Sequence, residues 1–107
     1  MPTITLRRRD GSEIKTVKSH LLICHAGAVT HTLHVHKNYS GEWVVSDPGS
    51  GGKLLHLEAM YRGCPVSTYG FTYPEVKPLA QAQVDLLIER VGSDRFNDIL
   101  GAHVVKA

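Results

Sequence analysis

Residues 29–37, V-T-H-T-L-H-V-H-K, set apolar side chains at alternate positions, and this period of two constrains the chain more than any other feature. A strand points successive side chains to opposite faces. Val29, His31, Leu33 and Val35 then share one face, and Thr30, Thr32, His34 and His36 share the other. A helix would bring His31 beside His34, but Thr, Val and His are poor helix formers and no capping residue flanks them. The segment is expected to be a half-buried strand that divides its three imidazoles between two faces.

The neighbouring segments extend that pattern. Thr3 to Arg8 alternates Ile4 and Leu6 with polar residues, and Asp10-Gly11 is a type I′ hairpin signal because Gly readily supplies a positive φ. The return strand is expected over Glu13 to Lys18. Its apolar members Ile14 and Val17 break strict alternation, which points to a bulge or a frayed end. Leu21 to Cys24 is a continuous apolar run, the pattern of a strand covered on both faces, and Ala26-Gly27-Ala28 marks a turn. Asn38-Tyr39-Ser40-Gly41 is a turn cluster, so Val29–Lys37 and Glu42–Asp47 are expected to form a hairpin.

The second half changes character. Asp47 to Gly52 is a Gly-rich loop. Lys53 to Arg62 supports two readings. Leu54, Leu57 and Tyr61 are helically spaced before a Gly63 and Pro65 stop, while a strand over 52–57 would pair back on Trp43 and run into an irregular turn. The strand is preferred. Tyr69, Phe71 and Tyr73 alternate in a segment rich in Pro and Gly, either a short edge strand or a loop pinned to the core. From Leu79 to Val91, the residues Val84, Leu87, Ile88 and Val91 form one stripe of an amphipathic helix, with Pro78 in its first turn and Gly92 at its end. Ser93 then caps a shorter helix from Asp94 to about Gly101, with Phe96, Ile99 and Leu100 on one side. Strands first and helices last predict an α+β fold, a single domain over residues 1–107, in which an antiparallel sheet of four or five strands is packed by two C-terminal helices.

Composition excludes several classes. With 42% hydrophobic and 21% charged residues the chain is expected to fold rather than remain disordered. No apolar run reaches the roughly 18–20 residues that a membrane span needs. The first nine residues carry their charges after their apolar side chains, the reverse of a secretory signal, so a cytoplasmic protein with no membrane contact is expected. Cys24 and Cys64 have no C-x-x-C spacing and are expected as buried free thiols, although one bridge between them would be allowed. A formal charge of +2 is too small to imply nucleic acid, but seven histidines make surface behaviour sensitive to pH between about 5 and 8.

Two clusters could carry chemistry. His34 and His36 lie on one strand face and form a possible metal-ligand pair, to be completed by His25, His56, Glu42 or Cys24. In order along the chain, Gly27, His34, His36, Glu42 and Gly49 resemble the first cupin motif, which implies a metal held by His34, His36 and Glu42. The second motif, Pro-x-Gly-x-x-His, does not follow, and the resemblance covers residues 27–49 alone. Arg7, Arg8 and Arg9, with Lys15 and Lys18 across the hairpin, could contact phosphates, but Asp10 and Glu13 dilute the field. A charged strand edge that resists aggregation accounts for them as well. The loop before Lys53 lacks the Gly and the Ser/Thr of a P-loop. Adjacent Cys24 and His25 point to opposite faces and make no dyad, and Asp85 and Glu89 are spaced as a solvated helix face. Trp43 is expected in the core, with Tyr69 or Tyr73 on the surface as a contact residue.

By elimination the expected function is non-enzymatic and without cofactors. It is that of a small regulatory or inhibitory protein with a protein partner, of the kind found among phage and mobile-element accessory proteins that inhibit host defence. A metal-binding β-protein using His34 and His36, and a nucleic-acid-binding accessory protein using Arg7–Arg9, are the alternatives.

Overall fold

The computed structural model describes residues 2–7, 12–47 and 53–100, with the backbone alone at 6–7 and 13–15. Eight strands precede two helices among these residues: β1 (Thr3–Arg7), β2 (Glu13–Lys18), β3 (His20–Ala26), β4 (Val29–Lys37), β5 (Trp43–Ser46), β6 (Lys53–His56), β7 (Glu58–Tyr61), β8 (Cys64–Ser67), α1 (Tyr73–Val91) and α2 (Ser93–Ile99). The expected α+β architecture is present. An antiparallel four-stranded sheet in the order β3-β4-β5-β6 is packed by the two C-terminal helices, while β1–β2 and β7–β8 form separate two-stranded hairpins.

The period of two in β4 determines the sheet's faces. Leu33 and Val35 join Leu22, Cys24, Trp43 and Val45 on the inner face, under a stripe of α1 made by Val76, Ala80, Val84 and Ile88. Those four are spaced by four residues, so they lie in one row along the helix. Phe96 of α2, fully buried, closes the same core. Gly27 makes the β3–β4 turn at φ +65°, close to Ser93 at the start of α2.

The N-terminal hairpin pairs as its alternation predicts, Ile4 against Val17 and Thr5 against Thr16. Its register shifts between Leu6 and Arg7, whose partners Lys15 and Glu13 skip Ile14, so the expected irregularity falls at that residue. The Asp10-Gly11 turn and the Gly49–Gly52 loop lie outside the described residues.

Four expectations need correction. Leu21 and Ile23, read as covered on both faces, are 48% and 56% exposed, because the helices cover only the inner face of β3. The segment after His56 is a second hairpin instead of an irregular turn, with Gly63 in its turn and Pro65 in its outer strand. Helix α1 begins at Tyr73, six residues before Leu79, because Thr72 and Glu75 cap it and Pro74 suits its first turn. The Glu75 carboxylate accepts both the Thr72 backbone N–H and its hydroxyl at 2.9 Å, and Pro78 sits inside the helix. Finally Gly92, at φ +89°, stands at the N-cap of α2 and Ser93 is its first residue, while Ile99 faces solvent.

Candidate functional site

The β7–β8 hairpin is the most exposed element of the described chain. Its strands are joined by Arg62-Gly63, both with positive φ (50° and 80°), the signature of a type I′ turn. Gly adopts this conformation freely, whereas a side chain such as that of Arg62 costs roughly 1–2 kcal/mol there. By register, Ala59, Tyr61, Cys64 and Val66 share one face of the hairpin, and Glu58, Met60, Pro65 and Ser67 the other. Apolar side chains on both faces meet solvent: Met60 is 64% exposed, Tyr61 61% and, just past β8, Tyr69 70%. Only Ala59 among the strand residues is buried, so the hairpin projects from the body instead of lying on it. The Arg62 guanidinium stands over the Tyr61 ring, 5.3 Å from its centroid.

Polar contacts secure the base of this hairpin. Ser67 donates its hydroxyl to one Glu42 carboxylate oxygen at 2.5 Å, and His56 Nε2 lies 3.2 Å from the other. The Ser67 hydroxyl above all holds the Glu42 carboxyl below the ordinary carboxylate value of 4.5; desolvation opposes it, and the charge and hydrogen bond of His56 add to the lowering. Because the carboxylate stands between hydroxyl and imidazole, this trio lacks the base-next-to-nucleophile order of a Ser-His-acid site. It ties β8 to the ends of β5 and β6. Gln83 of α1 donates to the Glu58 carbonyl at 2.7 Å, and the buried Thr68 hydroxyl accepts the Trp43 backbone N–H at 2.8 Å. Tyr69 packs its ring against Gly41, where a Cβ would come within 2.9 Å.

The register also decides what kind of contact the hairpin can make. Tyr61 and Cys64 close the two-residue turn, so the next pair, Met60 and Pro65, is a non-hydrogen-bonded one and the Pro65 nitrogen faces away from β7. Pro has no N–H, and the outer edge of β8 therefore lacks a donor where an added strand would need it. The hairpin offers side chains to a partner in preference to its backbone edge.

The residues singled out from the sequence are dispersed. His34 and His36 do share the outer face of β4 as the period requires, but they are not on a solvated surface: they are 8% and 3% exposed. Ser19 Oγ lies 2.5 Å from His34 Nδ1, while His36 Nδ1 and Nε2 meet the Lys37 carbonyl and Ser46 Oγ at 3.0 and 2.7 Å. Both nitrogens of His36 are thereby occupied, and among the described residues no group of three or more His, Cys, Asp and Glu side chains is placed to hold a metal ion. Arg7 ends β1, and Arg8 and Arg9 lie outside the described residues. Tyr69 is exposed, but Tyr73 stacks on His20 with ring centroids 3.8 Å apart and packs on the core, four residues away in an inward-facing position. Trp43 is buried as expected, its Nε1–H donating to the Phe71 carbonyl at 2.9 Å. Both cysteines are free, Cys24 buried and Cys64, against expectation, exposed on the hairpin. Met60, Tyr61 and Arg62 were not singled out from the sequence, and the available signal was Arg-Gly between two short runs of β-formers.

Elsewhere, Leu55, Gln83, Leu86, Leu87 and Arg90 line a pocket of about 110 Å³ beside α1. Small-molecule sites occupy roughly 300–1,000 Å³. Compared with known protein families, with curated protein sequences and with solved structures, the chain matches none.

Proposed function

We propose that this chain is a non-enzymatic binding protein that engages a protein partner through the β7–β8 hairpin, in a regulatory or inhibitory role. The observation that carries the reading is the projection of Met60, Tyr61, Arg62 and Tyr69 into solvent on an anchored hairpin. Tyr and Arg are the residue types that dominate binding hot spots, and Met adapts its shape to a partner's surface. A two-stranded hairpin is marginal on its own, so the Glu42, Gln83 and Thr68 contacts at its base supply the order that a preformed recognition element needs. Such an element acts by filling a groove on its partner and excluding whatever else binds there.

The test is affinity capture from cell extract with three proteins in parallel: the wild type, Met60→Ala/Tyr61→Ala, and Leu86→Ala on the exposed side of α1. A stoichiometric partner retained by the wild type and by the Leu86 variant, and lost by the hairpin variant, supports the reading. A partner held equally by all three, or displaced only by Leu86→Ala, removes the hairpin as the site.

A further inference from the structure

On the face of the sheet opposite the helices, His34, His36, Val44 and Ser46 are buried together. Ser46 pairs with His34 and Val44 with His36 across the β4–β5 ladder, so the four form one patch. The N-terminal hairpin reaches this patch through Ser19, which joins β2 to β3, is itself buried and contacts His34. Ser19 also donates its backbone N–H to the Pro2 carbonyl at 3.0 Å, which closes the start of β1 onto the same junction. Ile4 of β1 is buried although it lies outside the helix-side core, as a side chain covering the outer face would be.

The hydrogen bonds fix the tautomer of neutral His36. The Lys37 carbonyl can only accept, so His36 Nδ1 carries the proton and Nε2 accepts from the Ser46 hydroxyl. A second proton at Nε2 would face the Ser46 O–H donor to donor, and the hydroxyl would have to turn away. His34 is two residues along on the same face, so charge on either imidazole opposes charge on the other.

The surrounding charges do little to offset this among the described side chains. Along the two rows of the patch the titratable groups are Lys53, beyond Ser46, and His56, beyond Val44, both exposed on β6. Asp47 is the carboxylate that acts on His34 in the opposite sense. On the hairpin, the pair Ile4 and Val17 is buried and half-buried, whereas Lys18 is on the exposed side with Thr3.

We infer that the His34–His36 pair is a proton-operated latch: neutral, it holds the β1–β2 hairpin against the outer face of the sheet, and protonated, it releases the hairpin while the helix-backed face stays packed. Burial first, and for His34 its neighbour His36 next, place both imidazoles below their ordinary value of 6.5; Asp47 and the Lys37 carbonyl oppose this only in part. The released form takes up protons first. The latched form is therefore fully favoured above pH 6.5 and loses ground as pH falls below it, by up to about tenfold per pH unit for each proton bound. Release uncovers Val44, Ile4 and the two histidines, so the device would couple acidification to a new apolar surface.

Residue-resolved amide hydrogen exchange on the full chain between pH 7.5 and 5, corrected for intrinsic rates, tests the latch. Protection of the β1 and β2 amides is expected to fall about 10- to 100-fold per pH unit below 6.5 relative to Leu33, Val35 and Val84. His34→Gln/His36→Gln should abolish that pH response, and His25→Gln should retain it. Should the His34/His36 variant fail to fold, the wild type alone decides. Hairpin protection that is flat over this range, or that falls in parallel with the helix-backed core, overturns the latch.

Discussion

Asn97 Oδ1 accepts a hydrogen bond from His31 Nε2 at 2.6 Å, joining α2 to β4 across 66 residues of sequence. The acceptor fixes the proton of His31 on Nε2, and the same Asn97 side chain donates through Nδ2 to the Ala26 carbonyl at 3.3 Å. The His31 ring also meets Phe96 edge-on, with centroids 5.4 Å apart. One amide thus docks a seven-residue helix, too short to be stable alone, onto the sheet.

Asn97→Ala is expected to destabilise the fold by about 1–3 kcal/mol, since it leaves a half-buried imidazole N–H and the Ala26 carbonyl without their partner. Urea unfolding of the two proteins measures it. An unchanged midpoint would mean that α2 is held by Phe96 alone.

This contact also shows how far the sequence carries. Strand period placed His31 on the apolar face and opposite to His34 and His36, because alternation is a property of the backbone and needs no knowledge of the partner. That His34 and His36 are buried depends on long-range contacts such as that of Ser19, 15 residues upstream of His34, and no local pattern encodes them. The same limit explains Tyr73, whose environment depends on His20 from a distant strand. Helix α1 was legible in its second half, where the apolar stripe is regular. Its start was obscured by two prolines, one of which, Pro78, sits where helices seldom tolerate it.

The two thiols should differ sharply in reactivity. Burial first, and the Asp85 carboxylate second, push the Cys24 thiol up to about 11, while Cys64 is exposed on the hairpin. Thiolate is the reactive form, so a disulfide reagent at pH 8 is expected to label one thiol per native chain and a second only in denaturant. Peptide mapping should place the first label on Cys64. Prompt labelling of Cys24 in the native protein would show that β3 opens readily.

Glu42 links pH to the anchoring of the hairpin. Its folded value lies below the ordinary 4.5, chiefly through the Ser67 hydroxyl. A depressed carboxyl contributes stability that is present above pH 4.5 and is lost as pH falls through the folded value. Ser67→Ala removes the largest cause and is expected to move the Glu42 titration upward, towards 4.5, and to raise amide exchange in β7 and β8. Carboxyl-detected NMR titration reads the first effect and hydrogen exchange the second. A Glu42 titration that does not move in this variant would assign the depression to His56 instead.

Arg62 separates stability from recognition. At φ 50° it occupies a conformation that glycine adopts without penalty, and its side chain makes its described contact with an exposed ring, that of Tyr61. Arg62→Gly is therefore expected to stabilise the folded chain by about 1 kcal/mol, less whatever the Tyr61 contact contributes, since an exposed cation–π pair is worth roughly 0.5–1 kcal/mol. Gly63→Ala, at φ 80°, should act in the opposite direction by imposing a side chain on the same kind of backbone. If the hairpin is the recognition element, Arg62→Gly should keep or raise the melting temperature and yet weaken partner retention at least severalfold in the capture experiment. A strained arginine whose replacement by glycine changes neither stability nor binding would leave the tip without a role and would shift the contact surface to Met60, Tyr61 and Tyr69.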